Sequence, residues 1–211
     1  MRLLALIISA IFHPLLMASY ACMLLFFAFK NTVFELMTAN ATKWQITLTV
    51  CAFTFVLPVL NIYLMYKLKR VNTLMLSDRN DRTFPYIMTA VFYFGLFYLF
   101  YDLRIWESIK LFVLCAGTGI LLTAVINLVY KISAHMVGIG GLVGMMISLS
   151  ILLRYDLFFF ILSAVLISGV IGWARIVLDE HKPSQVYTGF LLGLFCQVVL
   201  FLPLQKLSLN F

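Results

Sequence analysis

Long apolar runs separated by short polar breaks dominate this 211-residue chain. A helix rises ~1.5 Å per residue and needs ~20 mostly apolar residues to cross hydrocarbon. Seven stretches approach or exceed that length: 3–29, 44–66, 86–101, 109–130, 136–153, 157–176 and 186–204. The third is short, and a re-entrant or interfacial placement for it gives six spans instead of seven. The runs are continuous and lack period-two alternation, so they predict helices and not barrel strands. The expected fold is therefore all-α, a polytopic transmembrane bundle forming a single domain over 1–211. Pro58 predicts a kink in the second span. Gly140-x-x-x-Gly144 predicts close helix packing in the fifth. The first run follows Arg2 and continues through Phe29, too long for a signal-peptide core, so it reads as an uncleaved span.

Composition reinforces the pattern. Hydrophobic residues make up 64% of the chain and charged residues 11%, against about 45–50% and about 25% in soluble domains. Lipid can solvate that apolar surface, provided every backbone polar group is bonded internally. The net charge of +7 is scattered through the breaks and forms no arginine-rich arm. It points to membrane orientation, anionic lipid or phosphate, and not to nucleic acid. Cys22, Cys51, Cys115 and Cys196 all lie inside apolar runs and form no Cys-x-x-Cys pair. They read as small buried hydrophobes, neither metal ligands nor a disulfide framework.

Parity along seven spans sorts the breaks. The connectors after the second, fourth and sixth spans share one membrane face with the N-terminus. That face collects Arg79, Arg82, Lys131, His135, Arg175, His181 and Lys182. Its polar segments include Lys67 to Arg70 and Ser77 to Pro85. The opposite face, with Lys30, Lys43, Arg104, Lys110, Arg154 and Lys206, reads as ordinary short turns. Lys and Arg favour the first face, which the positive-inside rule would place in the cytoplasm. The bias vanishes once Arg79, Arg82, Lys131 and Arg175 are set aside as phosphate ligands, so the side stays open.

His135 and His181 each sit at a break beside cations. That mix suits phosphoryl transfer, which needs donors around the equatorial oxygens, a nucleophile and an acid for the leaving group. Histidine serves as nucleophile or acid near neutral pH, and arginine makes bidentate phosphate contacts. Arg175 lies at the mouth of the sixth span, where a charge is expensive. Lys67, Lys69 and Arg70 read as snorkelling cations, Asp179 and Glu180 as solvated helix-end charges, and His13 as a local packing contact. The aromatics of 92–101 and 158–160 read as lipid-facing or belt residues.

These residues resemble the type 2 phosphatidic acid phosphatase superfamily of membrane lipid phosphate phosphatases. Its pattern runs Lys-x6-Arg-Pro, then Pro-Ser-Gly-His, then Ser-Arg-x5-His-x3-Asp. Ala174-Arg175, five residues, His181 and three more to Gln185 align with the last piece without gaps. Ile132-Ser133-Ala134-His135 resembles the second, and Arg79-Asn80-Asp81-Arg82-Thr83-Phe84-Pro85 loosely resembles the first. The resemblance covers roughly 78–193. It implies that His181 is the nucleophile and that His135 is the acid for the leaving alcohol. It implies that Arg175, Arg82 and Arg79 hold the phosphate, with Ser133 and Lys131 as further donors. It implies no metal and no cofactor. The expected partners are the bilayer and a lipid phosphate drawn from it, and the expected setting is a bacterial inner membrane. Gln185 departs from the family carboxylate: it accepts a hydrogen bond but carries no charge to stabilise a histidine becoming positive. A phospholipid-binding or transporting relative without catalysis is therefore the competing expectation.

Overall fold

A computed structural model describes residues 1–76 and 78–208, with side chains as far as residue 204. Ser77 and the side chain of Lys206, both placed on faces above, lie outside that description. The described residues form helices and no strands, and seven helices are long and apolar enough to cross a membrane. They run Arg2–Ala28, Asn40–Lys67, Thr83–Tyr101, Glu107–Asn127, Ala134–Leu153, Phe158–Val177 and Pro183–Leu204, and are numbered here as the first to seventh spans. The third is an unbroken helix of 19 residues. Seven spans therefore stand on length, in place of the six-span alternative.

The prolines act locally, each in its own way. Pro14 has no N–H, so the first span stops at Ile11 and restarts through a single 3-10 turn, Pro14–Leu16. His13 sits in this gap in extended geometry, and its Nδ1 accepts the Leu15 N–H at 3.4 Å. Pro58 does not break the second span. A π-helical turn, Ala52–Val56, precedes it and absorbs the missing donor. Another π turn, Cys196–Leu200, stands just before Pro203 in the last span. Pro85 and Pro183 fall in first turns, where the lost N–H costs little.

Enclosure is uneven across the bundle. The fifth span has 61% of its core window buried, against 22% for the second. The fifth is thus the hub, and the outer helices turn large apolar side chains such as Leu60, Tyr98, Phe159 and Leu166 outward. That exposure suits lipid contact. The hub packs most closely on the seventh span, through glycines on both sides. A Cβ on Gly140 would collide with the Phe190 carbonyl, and one on Gly193 with the Val137 carbonyl. A Cβ on Gly189 would lie 2.7 Å from the Ser133 carbonyl. These obstacles are backbone atoms that cannot swing aside. Gly140-x-x-x-Gly144 therefore meets Gly189-x-x-x-Gly193 in the close packing expected of small residues in lipid. The Ser133 N–H, just before the fifth span, also donates to the Gln185 carbonyl at 3.3 Å. The starts of the two helices are thereby locked side by side.

The opposite face is more built than short turns would suggest. Lys43 and Lys110 are buried, and each ammonium donates to the carbonyl of a preceding helix end. Lys43 Nζ reaches Glu35 O at 2.7 Å, and Lys110 Nζ reaches Tyr101 O at 3.0 Å. These cations cap helix C-termini, where positive charge is favoured. On the other face, Met65, Val71 and Leu76 form a small apolar cluster that folds the connector after the second span over the bundle. Asn127 Nδ2 holds the end of that connector by donating to Arg79 O at 2.8 Å and Thr83 Oγ1 at 3.0 Å.

The packing gives a direct expectation. Gly140→Val or Gly193→Val should destabilise the detergent-solubilised protein by about 1–3 kcal/mol or more, because the added side chain meets backbone. At Gly169 a Cβ would have nothing within 4 Å, so that position should accept Val without comparable loss. Thermal unfolding of the three variants checks this.

Candidate functional site

The breaks named from parity come together. His181 lies in the connector after the sixth span, between Asp179 at a left-handed φ of 58° and the seventh helix. The chain turns back there on Arg175, whose carbonyl accepts the N–H groups of Glu180 at 3.2 Å and His181 at 3.3 Å. This reversal places His181 over the end of the sixth helix, beside the arginine six residues earlier. Arg82 enters from the connector before the third span. Its Nε donates to the Leu76 carbonyl and its Nη1 to His181 Nε2 at 3.3 Å. His135 stands in the first turn of the fifth helix, and its Nε2–H donates to the Ser9 carbonyl at 3.1 Å. That carbonyl lies just ahead of the break that Pro14 makes in the first span.

The state of His181 follows from its partners. Gln185 Oε1 accepts the backbone N–H of Lys182 at 3.1 Å, which identifies it as the oxygen of the amide. His181 Nδ1, also 3.1 Å from Oε1, must then be the protonated nitrogen. Nε2 keeps its lone pair and receives Arg82. Burial, reinforced by the Arg82 guanidinium, lowers the His181 pKa to about 3, although the Gln185 bond works the other way. The ring is therefore neutral near pH 7, with a free electron pair directed at an arginine. Lys131 is drawn below the ordinary lysine range by burial and by repulsion from Arg82, while Glu180 opposes the shift.

His135, His181, Arg82 and Arg175 line one cavity of about 170 Å³. Gln185 sits behind His181 and orients it. The other expected ligands are placed less directly. Ser133 is fully buried beneath the seventh helix and off the cavity wall. Arg79 is half-buried and also off the wall, and its carbonyl is held by Asn127. Lys131 lies outside the lining but within electrostatic reach of His181. Ser133, Arg79 and Lys131 thus differ from the expectation of direct phosphate contact. The Ser133 backbone packs against the seventh helix, and the Arg79 carbonyl anchors the connector.

Three residues that look bland in the sequence belong to the site. Glu180 is not a solvated charge: its Oε2 lies 3.2 Å from Arg82 Nη2 and 3.8 Å from Arg175 Nη2. The carboxylate bridges the two arginines and offsets the cost of burying them. Ser9 accepts Arg175 Nη1 on its Oγ at 3.1 Å while its carbonyl holds His135. His13 lines the same cavity, with its ring centroid 5.9 Å from that of His135. A signal for Ser9 and His13 was present: two polar side chains four apart in an apolar run, followed by proline. In the sequence Glu180 stands out only as a carboxylate beside His181, which with Asp179 could replace the charge that Gln185 lacks; its pairing with both arginines depends on the αL reversal at Asp179.

Among the described residues, no cluster of His, Cys, Asp and Glu has the arrangement to hold a metal ion. The cysteines are free, three buried and Cys51 half-buried. No family model, curated protein or solved structure matches the chain.

The tautomer and protonation are measurable. In the protein carrying 15N-labelled histidine, the His181 resonances should report an Nδ1–H ring that does not titrate between about pH 8 and about pH 5. An unperturbed histidine would titrate near ~6.5. The unfolded chain binds that proton at higher pH than the folded one. His181 therefore contributes stability that is complete above about pH 6.5 and falls as the pH drops toward its folded pKa of about 3.

Proposed function

We propose that this protein is a membrane lipid phosphate phosphatase of the type 2 phosphatidic acid phosphatase kind. It would cleave a lipid phosphomonoester or diphosphate through a phosphohistidine. The observation that carries the reading is the convergence of His181, His135, Arg82 and Arg175 on one cavity within a bundle of seven apolar helices. They come from three breaks between spans, or the helix ends beside them, far apart in sequence.

The chemistry follows from the protonation pattern. His181 Nε2 attacks phosphorus, the P–N bond forms, and the P–O bond to the leaving group breaks. The bound substrate's phosphate proton passes through His135 to the departing oxygen. The His135 Nε2–H stays on the Ser9 carbonyl, so the neutral ring takes and gives this proton at Nδ1. Water then attacks the phosphohistidine, and its proton leaves by the same Nδ1 to the released phosphate. The P–N bond breaks, releasing inorganic phosphate and restoring neutral His181. Arg82 and Arg175 hold the equatorial oxygens, the role in which arginine stabilises developing charge. Glu180 contacts both arginines, so phosphate binds by displacing the carboxylate from them.

Gln185 supports a second reading. Its oxygen sets the His181 tautomer correctly, which a donor in that place would not do. It supplies no charge to the phosphohistidine cation. A protein that binds lipid phosphate and turns it over slowly, or not at all, shares every other feature of the site.

The purified protein should release phosphate from at least one member of a panel spanning phosphatidate, phosphatidylglycerophosphate and polyprenyl diphosphate. His181→Ala should remove the release entirely, and Arg175→Ala should lower kcat by ~10²–10³, the usual effect of losing one stabilising donor. Gln185→Glu should raise kcat by at least ~tenfold. It reverses the kind of carboxylate-to-amide change that costs ~10⁴ in serine proteases. Binding without release across the panel, and without a gain from Gln185→Glu, would favour the second reading.

A further inference from the structure

The first span lies outside the stretch that carries the charged motifs, yet its middle is built into the site. Its first half-helix, Arg2–Ile11, packs on the sixth span, and the 3-10 turn Pro14–Leu16 packs on the fifth. In an unbroken helix the Ser9 carbonyl would accept the N–H of His13, four residues on. Pro14 works against this. Proline disfavours helical angles in the residue before it, and its ring clashes with the turn behind. His13 accordingly has extended angles, φ −62° and ψ 134°, and the chain leaves the helix at Phe12, with φ −94° and ψ 44°. The carbonyls at the break turn to other partners. That of Ile11 accepts the Tyr20 hydroxyl at 2.7 Å, and that of Ser9 accepts His135 Nε2–H at 3.1 Å.

Buried Ser9 also accepts Arg175 Nη1 on its Oγ at 3.1 Å. One residue of the first span therefore holds both a histidine and an arginine of the site. The fifth helix leaves room for the break. Gly138 lies three residues after His135, on the same helical face. A Cβ there would sit 3.5 Å from the Pro14 backbone and 2.9 Å from Met17 Cγ. A large side chain at this position would hold the break away from His135. His13 completes the contact, with its ring centroid 5.9 Å from that of His135 and 6.1 Å from that of Phe55, both edge-on.

We infer that the break in the first span is a working part of the site, in which Pro14 and Ser9 are positioning residues: they fix the tautomer of His135 and the placement of Arg175. A backbone carbonyl can only accept, so it keeps the proton of the neutral ring on Nε2. Nδ1 is then the nitrogen with the lone pair, and it alone can take a proton from a group in the cavity. Without that carbonyl the ring is free to change tautomer, which is how a catalytic histidine fails when its orienting acceptor is lost. The consequence for turnover rests on the phosphatase reading above; the tautomer does not.

The experiment uses wild type, Pro14→Ala and Ser9→Ala in lipid nanodiscs with 15N-labelled histidine, and His135→Asn identifies the His135 resonances. Wild-type His135 should be a single Nε2–H tautomer. Pro14→Ala lets His13 become helical and draws the Ser9 carbonyl back into its own helix, so His135 should become a mixture of tautomers. Ser9→Ala keeps the carbonyl and should leave the tautomer unchanged. It should instead weaken binding of inorganic phosphate, read by 31P NMR, by about tenfold, because Arg175 loses its hydroxyl partner. With a lipid phosphate that is turned over, Pro14→Ala should lower kcat by ~10², the lower end of what proton transfer contributes, with little change in KM. Gly138→Leu pushes the break off the fifth helix and should give the same mixed tautomers; it replaces Pro14→Ala if that variant fails to fold. A wild-type His135 resting as Nδ1–H, or a tautomer unchanged by Pro14→Ala and Gly138→Leu alike, overturns the inference. So does a shifted tautomer with undiminished kcat. If the tautomers behave as expected while none of the proteins releases phosphate from any lipid, the positioning stands and the phosphatase reading fails.

Discussion

The close contact between the fifth and seventh helices sets everything else in the molecule. In lipid there is no hydrophobic drive between helices, so association depends on packing and hydrogen bonds. Here Gly140 and Gly144 face Gly189 and Gly193 so closely that a side chain on any of them would meet backbone. That approach brings the two helix starts together, and with them His135 from one and the connector bearing His181 from the other. It also frees space on the far side of the fifth helix, where the cavity opens against the third and fourth spans. A bulkier interface would separate the histidines and leave the site unformed.

Electrostatics then decides what the assembled site is. Two arginines lie at the helix ends, Arg82 buried and Arg175 half-buried, and each is met by groups from elsewhere in the chain. Glu180 touches both, Ser9 holds Arg175, and Leu76 holds Arg82. The positive surroundings and burial keep His181 neutral, while Gln185 fixes which nitrogen carries its proton. Under the proposed chemistry that neutral imidazole, with its lone pair against a guanidinium, would be the nucleophile, and the cations that would bind the phosphate also hold off the proton that would disable it.

Much of the fold was legible because the bilayer imposes a simple rule on sequence. Seven apolar runs became seven helices, with ends shifted by a few residues where capping groups and first-turn prolines extended them. His181, Arg175 and His135 were legible because charged and imidazole side chains at span ends stand out against apolar surroundings. The positions of Ser133 and Arg79 were not legible, since local sequence does not say whether a polar residue beside a site faces the cavity or supports the backbone. Ser133 turned inward because Gly189 presses against its carbonyl. Glu180, Ser9 and His13 were hidden because each acquires its role only through a long-range contact. At Pro58, where a kink was expected, a π turn precedes the proline and the helix runs on without a break.

The proposed attack of His181 Nε2 on phosphorus is tested most directly by trapping the covalent adduct. Phosphohistidine survives alkali and is lost in acid. The protein should be mixed with a lipid phosphate, quenched in base within a turnover, digested and read by mass spectrometry. A phosphoryl group on His181, absent from an acid-quenched sample and from His181→Ala, is the result this account predicts. Phosphate release with no adduct on His181, or an adduct on another residue, would contradict it.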